Sequence, residues 1–190
     1  MMAHVRMSWW LPGLYRDEAG YYRYDGTMDA ETFSQARASL GRNEGPALLY
    51  DLYPQSIDVA DHPEVVTEVW CMAEFPASLL DPDDWVSLFE EVGYTEDGKP
   101  APRPRNPVTV YRGCSPERRF GMSWTTDIER ARWFAQRDLG QGAGQLYEAT
   151  IPPGCLLAYI HESHRLEAEF VVDPIALNDD TVRLVWGRES

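Results

Sequence analysis

A chain of 190 residues is long enough for one domain or a domain with a subdomain, and an apolar content of 44% with seven tryptophans and ten tyrosines excludes wholesale disorder. The formal net charge of −14 repels phosphate backbones at long range, which argues against non-specific nucleic-acid binding but leaves room for a local basic cleft. The three cysteines, Cys71, Cys114 and Cys155, are odd in number and far apart, so they outline neither a disulfide framework nor a metal site and fit a reducing compartment.

Near the start, the apolar run Met7-Ser8-Trp9-Trp10-Leu11 is cut by Pro12. It is too short for a signal-peptide core or a membrane span, so a soluble, cytoplasmic protein with no membrane partner is expected. Delivery into another cell by a route other than Sec stays open. Asp29 reads as the N-cap of a helix carrying Phe33, Ala36 and Leu40, with Gly41 past its end. A second helix starts at His62-Pro63 and presents Val65, Val66, Val69, Trp70 and Ala73 as an apolar stripe, ended by Pro76. A third runs from Asp81-Pro82 with Trp85, Leu88, Phe89 and Val92 at helical spacing, closed by Gly93. Residues 1–94 are thus predicted as a helical region.

Residues 95–107 contain Pro100, Pro102, Pro104 and Pro107 among polar residues and read as an extended connector. From residue 108 the pattern changes to short strands. Residues 108–112 are β-branched and aromatic, and 121–125 can form a second strand. Thr126-x-x-Glu129 reads as a capping box opening a helix to about residue 139, with Ile128, Ala131, Phe134 and Ala135 as its buried stripe. A glycine-rich turn at 140–144 follows. Further strands are predicted near 145–151, 155–160, 166–173 and 181–186. The predicted class is α+β: a helical region at 1–94, a connector at 95–107 and a β-rich core at 108–190.

The residues that could carry chemistry lie in that second part. Arg112 ends a strand and could hold a phosphate or a ribose hydroxyl with several donors; alone it reads equally as a surface arginine. Gly113 would let a ligand approach the backbone closely. Ser123 and Thr125 alternate with Trp124 and so share one strand face. Glu167 and Glu169 share another, and two neighbouring carboxylates resist joint ionisation unless a cation or substrate relieves them. A solvated outer strand face is the bland alternative. Arg118 and Arg119 could reach a pyrophosphate. His161-Glu-Ser-His164 offers two imidazoles but no third ligand at a useful spacing, so no metal is expected.

In order, Arg112, Ser123-Trp124-Thr125 and Glu167-Ala168-Glu169, each on its own predicted strand, resemble the active site of ADP-ribosyltransferases of the arginine, serine, glutamate class. Ala131, Phe134 and Ala135 also match that family's spacing after the first serine, while Trp124 stands where the family has threonine. The resemblance covers residues 107–187. It implies a small, mainly antiparallel two-sheet β core of ADP-ribosyltransferase type and NAD as the substrate that is split. It makes Glu169 the catalytic glutamate, Ser123 its brace and Glu167 the residue acting on the acceptor. It also makes Arg112, Gly113, Ser123, Thr125 and Phe134 the cofactor contacts. The activity implied is mono-ADP-ribosylation of an acceptor macromolecule, favouring protein arginine, in a toxin, effector or phage-related factor. A nucleic-acid acceptor is disfavoured by the acidic charge. The alternatives are an NAD glycohydrolase and a catalytically inactive relative that serves as a protein-binding module.

Overall fold

Strands precede the first predicted helix in the region expected to be mainly helical. In the computed structural model, which describes residues 5–6, 11–137, 144–161 and 168–187, β1 (Val5–Arg6), β2 (Leu14–Arg16) and β3 (Tyr22–Tyr24) form an antiparallel three-stranded sheet. Leu14 and Tyr22 are buried in β2 and β3. Strands of two or three residues are too short to show a period of two, which is why the sequence conceals them. The Asp17 carboxylate closes the β2–β3 turn by accepting from the amides of Ala19 and Tyr21.

Two compact units divide the chain, Met1–Val92 and Gly93–Ser190. In the first, helices follow the small sheet. α1 (Ala30–Leu40) starts where expected, with Asp29 accepting from Thr32 N at 2.8 Å, and ends at Gly41, whose φ is 100°. α2 (Gly45–Leu52) is an additional helix that buries Leu48, Leu49 and Leu52. α3 (Pro63–Met72) and α5 (Pro82–Val92) match the predicted second and third helices. Between them Pro76 does more than end α3, because it opens the short α4 (Pro76–Leu79). Trp70 meets Trp85 and Phe89 edge-on at 5.1 and 5.7 Å, so the two predicted stripes bury against each other.

The second unit is built on one large sheet. Its first hairpin, β4 (Thr95–Glu96) and β5 (Lys99–Pro100), occupies part of the predicted connector. Asp97 and Gly98 turn it with φ values of 49° and 76°, the pair of positive angles a two-residue hairpin needs. Residues 95–100 therefore belong to the sheet, since β4 also pairs in parallel with β9 (Leu156–Ile160). The remaining strands are β6 (Val108–Cys114), β7 (Ser123–Thr125), β8 (Gln145–Ile151), β10 (Glu169–Val172) and β11 (Val182–Trp186). Their order is β11-β8-β6-β7-β10-β9-β4-β5. The chain is thus a mixed α/β protein with a large sheet. By hydrogen bonding the core is one eight-stranded sheet, where two sheets are expected. That sheet is nearly divided, because β6 and β7 pair at the single position Tyr111↔Thr125.

One face of this sheet carries Val110, Trp124, Tyr147, Ala149, Phe170 and Val172 in an apolar cluster. Helix α6 (Ile128–Arg137) lies on the other face of β6. Its fully buried residues are Ala131 and Ala135; Ile128 and Phe134, expected in the same stripe, are half-buried. Two glycines allow this close seating. A Cβ on Gly113 would lie 1.8 Å from the Ala131 carbonyl oxygen, and one on Gly144 would lie 1.8 Å from that of Ala135. Two backbone segments in contact cannot relax as a side chain can, so Gly113→Ala is expected to cost about 3 kcal/mol, measured by urea unfolding.

Burial pushes the Tyr22 hydroxyl up to about 12, helped by its 2.6 Å hydrogen bond to Glu44 and opposed by Arg16. Burial pushes Tyr94 up to about 12 as well. Because the folded value lies above the unfolded one, near 10, the neutral phenols stabilise the fold fully below pH 10. That stabilisation is lost as pH rises from 10 through 12. Thermal midpoints are expected to fall from pH 10 upward, and Tyr22→Phe to flatten that fall, as followed by circular dichroism at pH 9, 10 and 11.

Candidate functional site

The candidate residues come together through strand register. β7 and β10 pair antiparallel, with Glu169 opposite Thr125, Phe170 opposite Trp124 and Val171 opposite Ser123. Directly opposed residues share a face, so Glu169, Thr125 and Ser123 stand on one side, with Ser123 diagonal to Glu169 at about 7 Å. Thr125 is also the partner of Tyr111 in β6, and Tyr111 the partner of Glu148 in β8. One row thus crosses four strands: Glu169, Thr125, Tyr111, Glu148. At about 4.8 Å per strand its two carboxylates lie roughly 14 Å apart, too far to share a proton. Glu148 is in addition bonded to Arg183.

Tyr111 is the residue that sequence reasoning missed. Alternation along β6 separates it from Arg112, but only the pairing with Thr125 identifies its face. Trp124 points the opposite way. It is fully buried opposite Phe170, and its indole N–H donates to the Gly121 carbonyl at 2.7 Å. A bulky residue at this position therefore serves the core and leaves the Ser123–Thr125 face unchanged.

Arg112 also lies on the face away from Thr125. Its Nε donates to the Arg118 carbonyl at 3.0 Å and its Nη1 to the Ser123 carbonyl. Gly121 makes the room, since a Cβ there would lie 2.5 Å from Nη2. Arg112 thus braces β6 to the loop that delivers Ser123. Gly113 is likewise not an opening for a ligand on its Cβ side, because helix α6 fills that space. Phe134 sits on the flank of α6, edge-on to Trp133 with ring centroids 5.0 Å apart.

Local turns set the remaining candidates. Thr125 Oγ1 accepts from Asp127 N at 3.1 Å, and the Asp127 carboxylate caps α6 by accepting from Glu129 N and Arg130 N. The capping residue is therefore Asp127; Thr126 is exposed. β10 starts at Glu169, and Ala168 has a φ of 45°, so the alternation expected over 166–173 does not extend back through Ala168. Glu167 and His164 lie outside the described residues. A left-handed alanine costs about 1 kcal/mol, and such strain concentrates at functional positions. Arg119 pairs with Asp179 at 2.9 Å. His161 pairs with Asp97, with Nε2 and Oδ2 2.8 Å apart.

No group of three or more metal-ligating side chains occurs among the described residues, and no helix among them is long and apolar enough to cross a membrane. Two cavities stand out, one of about 560 Å³ in the first unit beside Asp29, Asp58 and His62, the other of about 290 Å³ beside Glu96, Lys99 and His161. Neither is lined by Arg112, Ser123 or Glu169. Comparison of the chain with known protein families, curated proteins and solved structures finds no match.

Charge-assisted hydrogen bonds to backbone carbonyls contribute about 1.5–3 kcal/mol each. Lysine keeps the charge of Arg112 but cannot reach two carbonyls with a planar fork. Arg112→Lys is therefore expected to lower stability by about 2 kcal/mol in denaturant titration, an effect that a cofactor contact alone would not produce.

Proposed function

We propose that the second unit is an NAD-dependent mono-ADP-ribosyltransferase of the arginine, serine, glutamate class, with a core of that family's type. The observation that carries the reading is the register of β7 on β10, which sets Glu169 beside Thr125 and diagonal to Ser123 on one face. The near-division of the sheet at Tyr111↔Thr125 supports the core assignment, since it separates a β11-β8-β6 part from a β7-β10-β9-β4-β5 part.

The chemistry follows from charge. Breaking the bond between nicotinamide and ribose sends the electron pair to the departing nicotinamide and leaves positive charge on the ribose, as in glycoside cleavage. Glu169 is placed to accept a hydrogen bond from a ribose hydroxyl and to stabilise that charge as it develops. Ser123 positions Glu169 from the neighbouring strand. Arg112 acts one step back, by holding the Ser123 backbone through its carbonyl. Glu167 takes the acceptor's proton as the acceptor attacks the ribose carbon. Protein arginine is the favoured acceptor and NAD the substrate consumed.

A second reading, a catalytically inactive relative that binds a partner, draws on Arg112 and Gly113, both of which are engaged by the fold. Incubation with labelled NAD separates the two. Wild-type protein is expected to release nicotinamide and label an acceptor, and Glu169→Gln to lose at least a hundredfold in both while its circular dichroism is unchanged. A variant within about threefold of wild type, a difference well under 1 kcal/mol, would remove Glu169 from the chemistry. Absence of nicotinamide release by wild type would leave the binding-module reading in its place.

A further inference from the structure

Helix α4 turns apolar side chains to solvent. None of its four residues is buried, and Phe75 and Leu79, one helical turn apart, are 55% and 40% exposed. Met72 at the end of α3 and Tyr50 on α2 are exposed as well, and α4 packs on both of those helices. Four of the nine large apolar side chains exposed among the described residues therefore belong to one short turn and the two helices that carry it. Scattered apolar residues are ordinary on a surface, whereas a concentration of them marks a docking site. The turn is anchored from beneath, since the indole N–H of the buried Trp85 donates to the Pro76 carbonyl at 3.0 Å.

The charge around this patch has one sign. Residues 43–92, which include α2 to α5, contain twelve carboxylates and no lysine or arginine. Arginines from the preceding segment reach three of them, as Arg16 pairs with Glu44, Arg37 with Glu68 and Arg42 with Glu74. Asp81 and Asp83 are exposed at the start of α5, directly after α4. The Tyr50 hydroxyl is hydrogen-bonded to Asp84; that bond and the Asp84 charge push it above the usual phenol range, and Asp51 and Asp81 add to the rise. Carboxylates thus face Tyr50 from both α2 and α5. Such a surface repels a nucleic acid, an anionic membrane and a second copy of itself, and attracts a cation. We infer that the α4 face of the first unit docks a basic amphipathic helix of a partner protein, its apolar stripe on Phe75 and Leu79 and its lysines or arginines against Asp81, Asp83 and Asp84. An amphipathic helix presents apolar side chains at the one-turn spacing of Phe75 and Leu79 and cations along both flanks of that stripe.

The inference does not depend on NAD chemistry, and its test contains no NAD. Full-length protein is titrated into a fluorescein-labelled peptide of about eighteen residues, roughly 27 Å of helix, built of leucine and lysine with the leucines along one face. Binding is read by anisotropy at about 50 mM salt, where surface charge is weakly screened. Wild type is expected to bind this peptide about tenfold more tightly than one of the same composition in scrambled order. The Phe75→Ala, Leu79→Ala double variant is expected to lose about tenfold in affinity, and Leu79→Gln alone to lose part of that. The Asp81→Asn, Asp83→Asn variant is expected to bind more weakly and with a flatter salt dependence. Its control is Asp58→Asn, Asp61→Asn, an equal change of charge before the other end of α3, which is expected to have the smaller effect. Asparagine can keep the backbone amide contacts that Asp58 and Asp81 make. Thermal melts check that each variant folds. No anisotropy change with wild type would overturn the proposal. So would equal binding of the scrambled peptide, undiminished binding by the Phe75 and Leu79 variants, or an equal loss from the Asp58, Asp61 control.

Discussion

The second unit depends on a junction of one residue pair. Tyr111 and Thr125 make the single β6–β7 pairing that joins three strands to five. One cross-strand pair contributes about 1 kcal/mol or less, which is little to hold two parts of a sheet together. Arg112, next along β6, adds what the ladder lacks by reaching the carbonyls of Arg118 and Ser123. A charged donor on a backbone carbonyl is stronger than a neutral pair, so one side chain can replace several missing ladder bonds. The same junction orders the candidate site, because Thr125 faces both Tyr111 and Glu169. Strand pairing, brace and site geometry are one arrangement.

Helix α6 shows how close backbone packing sorts side chains by size. Small side chains at Ala131 and Ala135, set against Gly113 and Gly144, let its backbone approach the sheet closely. That economy of space leaves the large side chains of the helix on its flanks, where Trp133 and Arg137 are exposed and Arg130 is half-buried. A glycine and a tryptophan that look unrelated in the sequence are thus linked: the first lets the helix settle, and the settled helix presents the second.

Legibility varied with the kind of signal. Helices α1, α3 and α5 were readable because each combines a start signal with an apolar stripe: Asp29 with Phe33, His62-Pro63 with Val66 and Trp70, Asp81-Pro82 with Trp85 and Phe89. α2 was not, because an eight-residue helix after Gly45-Pro46 offers two turns of pattern and a proline that reads as a breaker. The Asp97-Gly98 turn is a strong hairpin signal, but the prolines around it suggested a connector. The order of Arg112, Ser123, Thr125 and Glu169 along the chain was visible, as was the sharing of a face by Ser123 and Thr125. The bracing contact of Arg112 and the helix contact of Gly113 were not, since they depend on the Ser123 carbonyl and the Ala131 carbonyl being brought near.

The amino-acid sequence by itself determined the local matters: where three helices begin, which segments from residue 108 onward are strands, and which residue types recur in an order that suggests chemistry. These follow from capping, periodicity and turn propensity, which act over a few neighbouring residues. The tertiary structure alone decided which strand faces meet, that β6 touches β7 at one pair, that Gly113 is filled by a helix, and that Tyr111 joins the row of Glu169. Register and close backbone packing are set by contacts between segments tens of residues apart. A strand's alternation has two faces, and nothing within the strand says which one its distant partner will cover.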